Sequence, residues 1–199
     1  MSLQNTENAA DSKKLERAVF LDRDGTLIEE KGYIYRPEEV RLLPKAVEAV
    51  SYLKSLGLKV VILTNQSGIG RGFYTEADYR KVMAYLFNLL GRRQAAVDAS
   101  YFCPHAPWEG CPCRKPSPGM AERAAEELSL DLARSFVVGD KKSDMELARA
   151  TGARGILVRT GYGAETEKSV TPLWDAVADD LAEAAEIIRG WIAGESDET

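Results

Sequence analysis

Three apolar runs in this chain each end on a polar residue. Val19-Phe20-Leu21 leads into Asp22, Val60-Val61-Ile62-Leu63 into Thr64, and Phe136-Val137-Val138-Gly139 into Asp140. Short apolar runs closed by turn chemistry read as buried strands. Between them lie stretches with helical spacing. Val47, Val50, Leu53 and Leu56 form one stripe, opened by Pro44 and stopped by Gly57. Tyr79, Val82, Met83, Leu86 and Leu90 form another, with Thr75 as its N-cap. Further strands are expected at 100–102, 155–158 and 174–178, and further helices at 117–128, 143–152 and 179–193. Strands alternating with helices require a mainly parallel sheet covered on both faces, a three-layer α/β sandwich.

A chain of 199 residues, 45% hydrophobic and 29% charged, suits one soluble globular domain of this kind. We expect that domain over 17–193, with a disordered tail at 1–16 and a flexible one at 194–199. No apolar run is long enough to span a bilayer. The first 17 residues lack the apolar core of a secretion signal, so a reducing cytoplasm is expected. The net charge of −5 disfavours nucleic acid or an anionic membrane as partner.

In an open parallel sheet, ligands bind at the carboxyl ends of the strands. That edge would collect Asp22, Asp24, Thr64 and Asp140, with Lys115 and Lys141 in neighbouring loops. Taken alone, Asp22-Arg23-Asp24-Gly25-Thr26 reads equally well as a solvated turn. Clustered carboxylates repel one another unless a cation is present, and hard oxygen donors suit Mg²⁺. Carboxylates, Mg²⁺, a hydroxyl and a lysine together suit phosphoryl transfer.

Cys103, His105, Cys111 and Cys113 use every cysteine and the only histidine of the chain. Three thiolates and an imidazole fit a tetrahedral structural zinc. The other reading is three buried thiols and a surface histidine. Closed coordination leaves no position for substrate, so Zn²⁺ here would shape the loop carrying Arg114 and Lys115.

Four segments occur in the order that marks the haloacid dehalogenase superfamily: Asp22-x-Asp24-Gly25-Thr26, Thr64-Asn65, Lys115-Pro116 and Gly139-Asp140-x3-Asp144. The chain resembles that superfamily over about residues 17–193, with its Rossmann-like fold and here no room for a large cap domain. Thr64 to Gly72, the Cys-His loop and Arg114 to Met120 resemble most the branch holding heptose bisphosphate phosphatases, and next the histidinol-phosphate phosphatases. The resemblance implies an Mg²⁺-dependent phosphatase acting on a small phosphorylated sugar, a monomer without nucleic-acid or membrane partners. It implies Asp22 as nucleophile and Asp24 as acid and then base. Asp22, the Asp24 carbonyl and Asp140 would bind the metal, with Asp144 behind them. Thr64 and Lys115 would hold the transferring phosphoryl group. Glu30, Lys31, Gly32, Tyr33, Asn65, Gln66, Ser67, Arg114 and Lys141 would line the substrate site. Arg114 is suited to a distal phosphate. The zinc ligands are also implied by the family, although five residues between the two ligand pairs is short for it.

Other signals are weaker. Gly68-x-Gly70-x-Gly72 resembles a dinucleotide turn, but its third glycine comes one residue early, so a loop is expected there. Tyr33, Tyr35, Phe73, Tyr74 and Trp108 either wall the site or pack the loops down. A non-enzymatic zinc-stabilised binding protein is the alternative of another class.

Overall fold

The computed structural model describes residues 15–93 and 95–196. Six strands form one sheet in the order β3-β2-β1-β4-β5-β6. They are β1 (Ala18–Leu21), β2 (Lys59–Asn65), β3 (Ala99–Cys103), β4 (Phe136–Gly139), β5 (Arg154–Val158) and β6 (Ala176–Ala178). Every neighbouring pair is parallel, with Phe20 opposite Val61 on one side and Val137 on the other. Strand order reverses between β1 and β4, which places a crevice at the carboxyl ends of those two strands.

Side-chain alternation along the strands builds two cores. Val19 and Leu21 of β1, Val60 and Ile62 of β2, and Phe136 and Val138 of β4 face one side. There they meet α1 (Ala46–Ser55), α3 (Glu76–Gly91) and α7 (Leu181–Ser196). Ala18, Phe20, Val61, Leu63 and Val137 face the other, against α4 (Gly119–Leu128) and α5 (Lys142–Thr151). Full burial of each such Val, Leu or Phe contributes about 1.5–3 kcal/mol. The three-layer parallel sandwich is therefore as the alternation requires. The remaining helices are α2 (Ser67–Gly70) and α6 (Gly163–Ser169), with a 3-10 turn at Pro37–Glu39.

Several boundaries differ from the sequence-based expectation. Pro44 does not open α1, because the Leu43 amide bonds the Leu27 carbonyl at 3.0 Å and keeps the chain extended to that point. A left-handed Lys45 (φ 60°) then turns it into the helix at Ala46. Residues 67–70 form one helical turn rather than a loop, and α6 was not expected at all. Of the tail expected over 1–16, residues 1–14 lie outside the described residues, while Glu16 pairs with Leu130. At the other end α7 continues to Ser196, beyond the expected boundary at 193. Residues 197–199 lie outside the described residues. Thr75 caps α3 as expected: its hydroxyl accepts from the Asp78 amide at 3.3 Å, and Asp78 accepts in return from the Thr75 amide at 3.1 Å.

Candidate active site

The three strand exits are neighbours, because β2, β1 and β4 are adjacent in the sheet. Asp22 continues the β1–β4 ladder, its amide donating to the Val138 carbonyl at 3.0 Å. Its carboxylate is consequently held at the crevice, beside Asp140 at the end of β4. Gly25 turns the chain away with φ +84°, and a side chain there would collide with the Asp140 carboxylate. Asp140 is anchored in turn by the Tyr162 amide, which donates to Oδ2 at 2.9 Å, and by the Thr166 hydroxyl, which donates to the main-chain oxygen at 3.0 Å.

Two lysines organise the charge. Lys115 is buried with its Nζ 2.9 Å from Asp22 Oδ1 and 2.6 Å from Asp144 Oδ1, and it donates to the Leu63 carbonyl at 2.7 Å. Lys141 Nζ lies 2.9 Å from Glu30 Oε2, 3.4 Å from Asp140 Oδ1 and 3.7 Å from Asp22 Oδ2. Burial opposes the charge on Asp22, yet Lys115 and Lys141 together hold its carboxyl below the usual carboxylate range. At Asp140 burial prevails: it and the neighbouring Asp22 charge push the carboxyl up to about 7. Burial, with Asp22 nearby, also raises Asp144 despite Lys115. Such separation between adjacent carboxyls is a mark of sites that handle charge.

Asp24 is held differently. Arg23, only 1% exposed, grips it as a fork: Nε donates to Oδ2 at 3.0 Å and Nη2 to Oδ1 at 2.9 Å. Gln66 Nε2 donates to the same Oδ2 at 3.2 Å and to the Thr64 hydroxyl at 2.7 Å. The Tyr74 hydroxyl donates to Gln66 Oε1 at 2.7 Å.

Asp22, Asp24 and Thr64 open into a cavity of about 340 Å³ whose walls include Glu30, Gly32, Tyr33 and Ser67. Arg114 and Lys141 bring positive charge to it, and Asn65 and Gln66 complete the group expected from sequence. Asn65 has a fixed task, since its amide exchanges two 3.0 Å hydrogen bonds with the Lys115 backbone. Lys31 is the exception among the expected residues: its ammonium turns to Glu29 at 2.8 Å, and it is not part of the cavity wall. Tyr33 packs edge-on to Phe73 at 4.9 Å, and Tyr35 stacks on Tyr74 at 5.8 Å, whereas Trp108 stands apart under Arg71. Tyr74 lines the cavity with Tyr33, and Ser143 and Tyr162 also line it without having been singled out. The glycines flanking Tyr162 were the available signal, because Gly161 packs against Asp140 where no side chain fits.

Two groups of side chains are placed so that each could hold a metal ion. Asp22, Asp140 and Asp144 offer oxygens within 4.8 Å of one another, and Asp140 Oδ1 is buried without a hydrogen-bond partner. An all-oxygen set in which one buried carboxylate oxygen has no hydrogen-bond partner among the described residues fits a hard divalent cation such as Mg²⁺. Cys103, His105, Cys111 and Cys113 also converge. Cys103 Sγ lies 3.5 Å from Cys111 Sγ and 3.2 Å from Cys113 Sγ, and His105 Nδ1 is 3.3 Å from Cys113 Sγ. These separations suit the edges of a tetrahedron around Zn²⁺ with bonds of about 2.0–2.3 Å.

Residues 112–184 match the family model described as HAD-hydrolase-like. The D-glycero-β-D-manno-heptose-1,7-bisphosphate 7-phosphatase of Yersinia pestis is 38% identical over 180 residues, covering 86% of this chain and 95% of its own. The enzyme of that name from Pseudomonas putida is 40% identical over 170 residues, with 85% and 97% covered. Among solved structures, the D,D-heptose 1,7-bisphosphate phosphatase of B. bronchiseptica, complexed with magnesium and phosphate, superposes with a TM-score of 0.82. It is 34% identical, with 88% of this chain and 99% of that one covered.

Proposed function

The chain belongs to the haloacid dehalogenase-like hydrolases, in the family of the heptose bisphosphate phosphatases, and from that membership we propose that it removes the C7 phosphate of D-glycero-D-manno-heptose 1,7-bisphosphate. The observation that carries this reading is the placement of the ion-paired Asp22 carboxylate in a small cavity whose wall also bears Arg114 and Lys141. A bisphosphate needs cationic groups both at the reacting phosphorus and away from it, and the presence of Lys115, Lys141 and Arg114 in this cavity's wall supports the reading.

Asp22 attacks phosphorus. The oxygen–phosphorus bond to Asp22 forms as the bond from phosphorus to the sugar O7 breaks, and Asp24 gives its proton to O7. Asp24 then takes a proton from the water that attacks phosphorus, and the bond to Asp22 breaks. Sugar alcohol and inorganic phosphate leave, and both carboxyls return to their starting states. Lys115 and the Thr64 hydroxyl balance and orient the phosphoryl oxygens, and Arg114 holds the distal phosphate. The Asp22 carboxylate, the Asp24 carbonyl and Asp140 would hold Mg²⁺, which would supply further charge neutralisation at the phosphoryl group. Cys103, His105, Cys111 and Cys113 would hold a structural Zn²⁺, which would fix the segment leading into Arg114.

The enzyme acts as a cytoplasmic monomer in the supply of activated heptose for lipopolysaccharide. A substrate panel tests the assignment. Turnover is expected to be fastest on the heptose bisphosphate with release of the C7 phosphate, and Asp22→Asn is expected to abolish it with the fold intact. Faster turnover of histidinol phosphate would move the enzyme to histidine synthesis, and full activity of Asp22→Asn would overturn the mechanism.

A further inference from the structure

We propose that Arg23, Gln66 and Tyr74 act as positioning residues that set the Asp24 carboxylate for proton transfer. The inference rests on the phosphatase reading and deepens it. A guanidinium taken wholly out of water is costly unless its charge and its donors are answered. Here the fork on Asp24 answers both, and Nη2 also reaches Gln66 Oε1 at 3.3 Å. An apolar side chain would fill the same space beside Tyr79 and Met83, so the charge at Arg23 has a task beyond packing.

Gln66 ties that fork to the rest of the site. Its oxygen accepts from Tyr74 and Arg23, and its nitrogen donates to Asp24 and Thr64. The reverse amide orientation would set its NH₂ group against the Arg23 guanidinium and its oxygen against the Asp24 carboxylate. Arg23 and Asp24 thus fix the orientation that bonds Asp24, and the Tyr74 hydroxyl reinforces it by donating to the same Oε1. Burial pushes the Tyr74 phenol up to about 12, so it remains a donor throughout the neutral range. The result is asymmetric at Asp24. Oδ2 receives two donors, from Arg23 and Gln66, while Oδ1 receives one. Oδ1 keeps spare acceptor capacity, and the structure assigns the travelling proton to that oxygen.

The test compares two leaving groups. A sugar alkoxide must be protonated as it departs, whereas p-nitrophenolate leaves without help. The ratio kcat/KM reports the steps up to that departure, before water attacks. For Arg23→Lys, which keeps the charge and loses the fork, kcat/KM on the heptose bisphosphate is expected to fall at least about tenfold further than on p-nitrophenyl phosphate, given that a placed acid contributes about 10²–10⁴-fold. Tyr74→Phe removes one hydroxyl and should show the same selectivity at several-fold, so it decides the matter if Arg23→Lys does not fold. Equal losses on both substrates in the folded variants would overturn the proposal and leave the three residues as packing. Failure of the wild-type protein to hydrolyse either ester would instead remove the phosphatase reading beneath it.

Discussion

Replacing Lys115 by Met keeps nearly the same volume and deletes one buried charge. In the native protein that ammonium, with its side chain 3% exposed, answers Asp22 at 2.9 Å, Asp144 at 2.6 Å and the Leu63 carbonyl at 2.7 Å. Its removal leaves two buried carboxylates close together with Lys141 as the remaining cation near them among the described residues. Removing one partner of a buried ion pair costs about 3–5 kcal/mol. For a domain of this size each kcal/mol lowers the melting temperature by roughly 2–4 °C, so a fall of about 10 °C at pH 7 is expected. The penalty should shrink on acidification, because an orphaned carboxylate can take up a proton, and Asp144, whose carboxyl is already raised by burial, is the first to do so. Asp144→Asn in the Lys115→Met background should recover a large part of the loss. Urea unfolding of the four proteins of this double-mutant cycle, at pH 7 and pH 5, measures each quantity. A loss under about 1 kcal/mol at pH 7, or no recovery in the double variant, would refute the view that these charges are desolvated and mutually dependent.

Other expectations are more local. Metal analysis should find one zinc per chain, and Cys113→Ser should lower zinc content and expose the loop at 103–115 to proteolysis while the sheet persists. The Tyr74 phenol, raised to about 12 in the folded state, ionises near its usual value of about 10 when unfolded. Its contribution to stability is full below about pH 10 and is lost as pH rises toward about 12. The gap in melting temperature between wild type and Tyr74→Phe should therefore narrow over that interval, as followed by circular dichroism.

The frame of the site was legible in the chain because parallel-sheet geometry converts strand exits into neighbours. Asp22, Thr64 and Asp140 follow apolar runs, and β2, β1 and β4 are adjacent. The Cys-His cluster was legible from the spacing of rare residues. Arg23 was not, since an arginine between two aspartates in a turn looks solvated. Only the packing of α3 and Gln66 over it makes it buried. Helix α6 was missed because Gly163-Ala164-Glu165-Thr166-Glu167-Lys168-Ser169 carries no apolar stripe, and only Gly163 and Thr166 are buried. Lys31 pointed elsewhere than expected because, on an exposed turn, the adjacent Glu29 is its nearer counter-charge.

The strand order has a consequence for how the protein is made. Strand β1 is made before the other five strands of the sheet, yet its two neighbours arrive at 59–65 and 136–139. A nascent chain that stops short of β4 has one edge of its central strand unpaired, and open edges invite association with other chains. The charges that answer Asp22 are equally late, at 115 and 141. The amide that anchors Asp140 comes later still, at 162. The Asp22 carboxylate thus waits for residues 115 and 141 before it can be buried with its counter-ions. Charge compensation at Asp22 and closure of the sheet around β1 both depend on segments made well after β1 and β2.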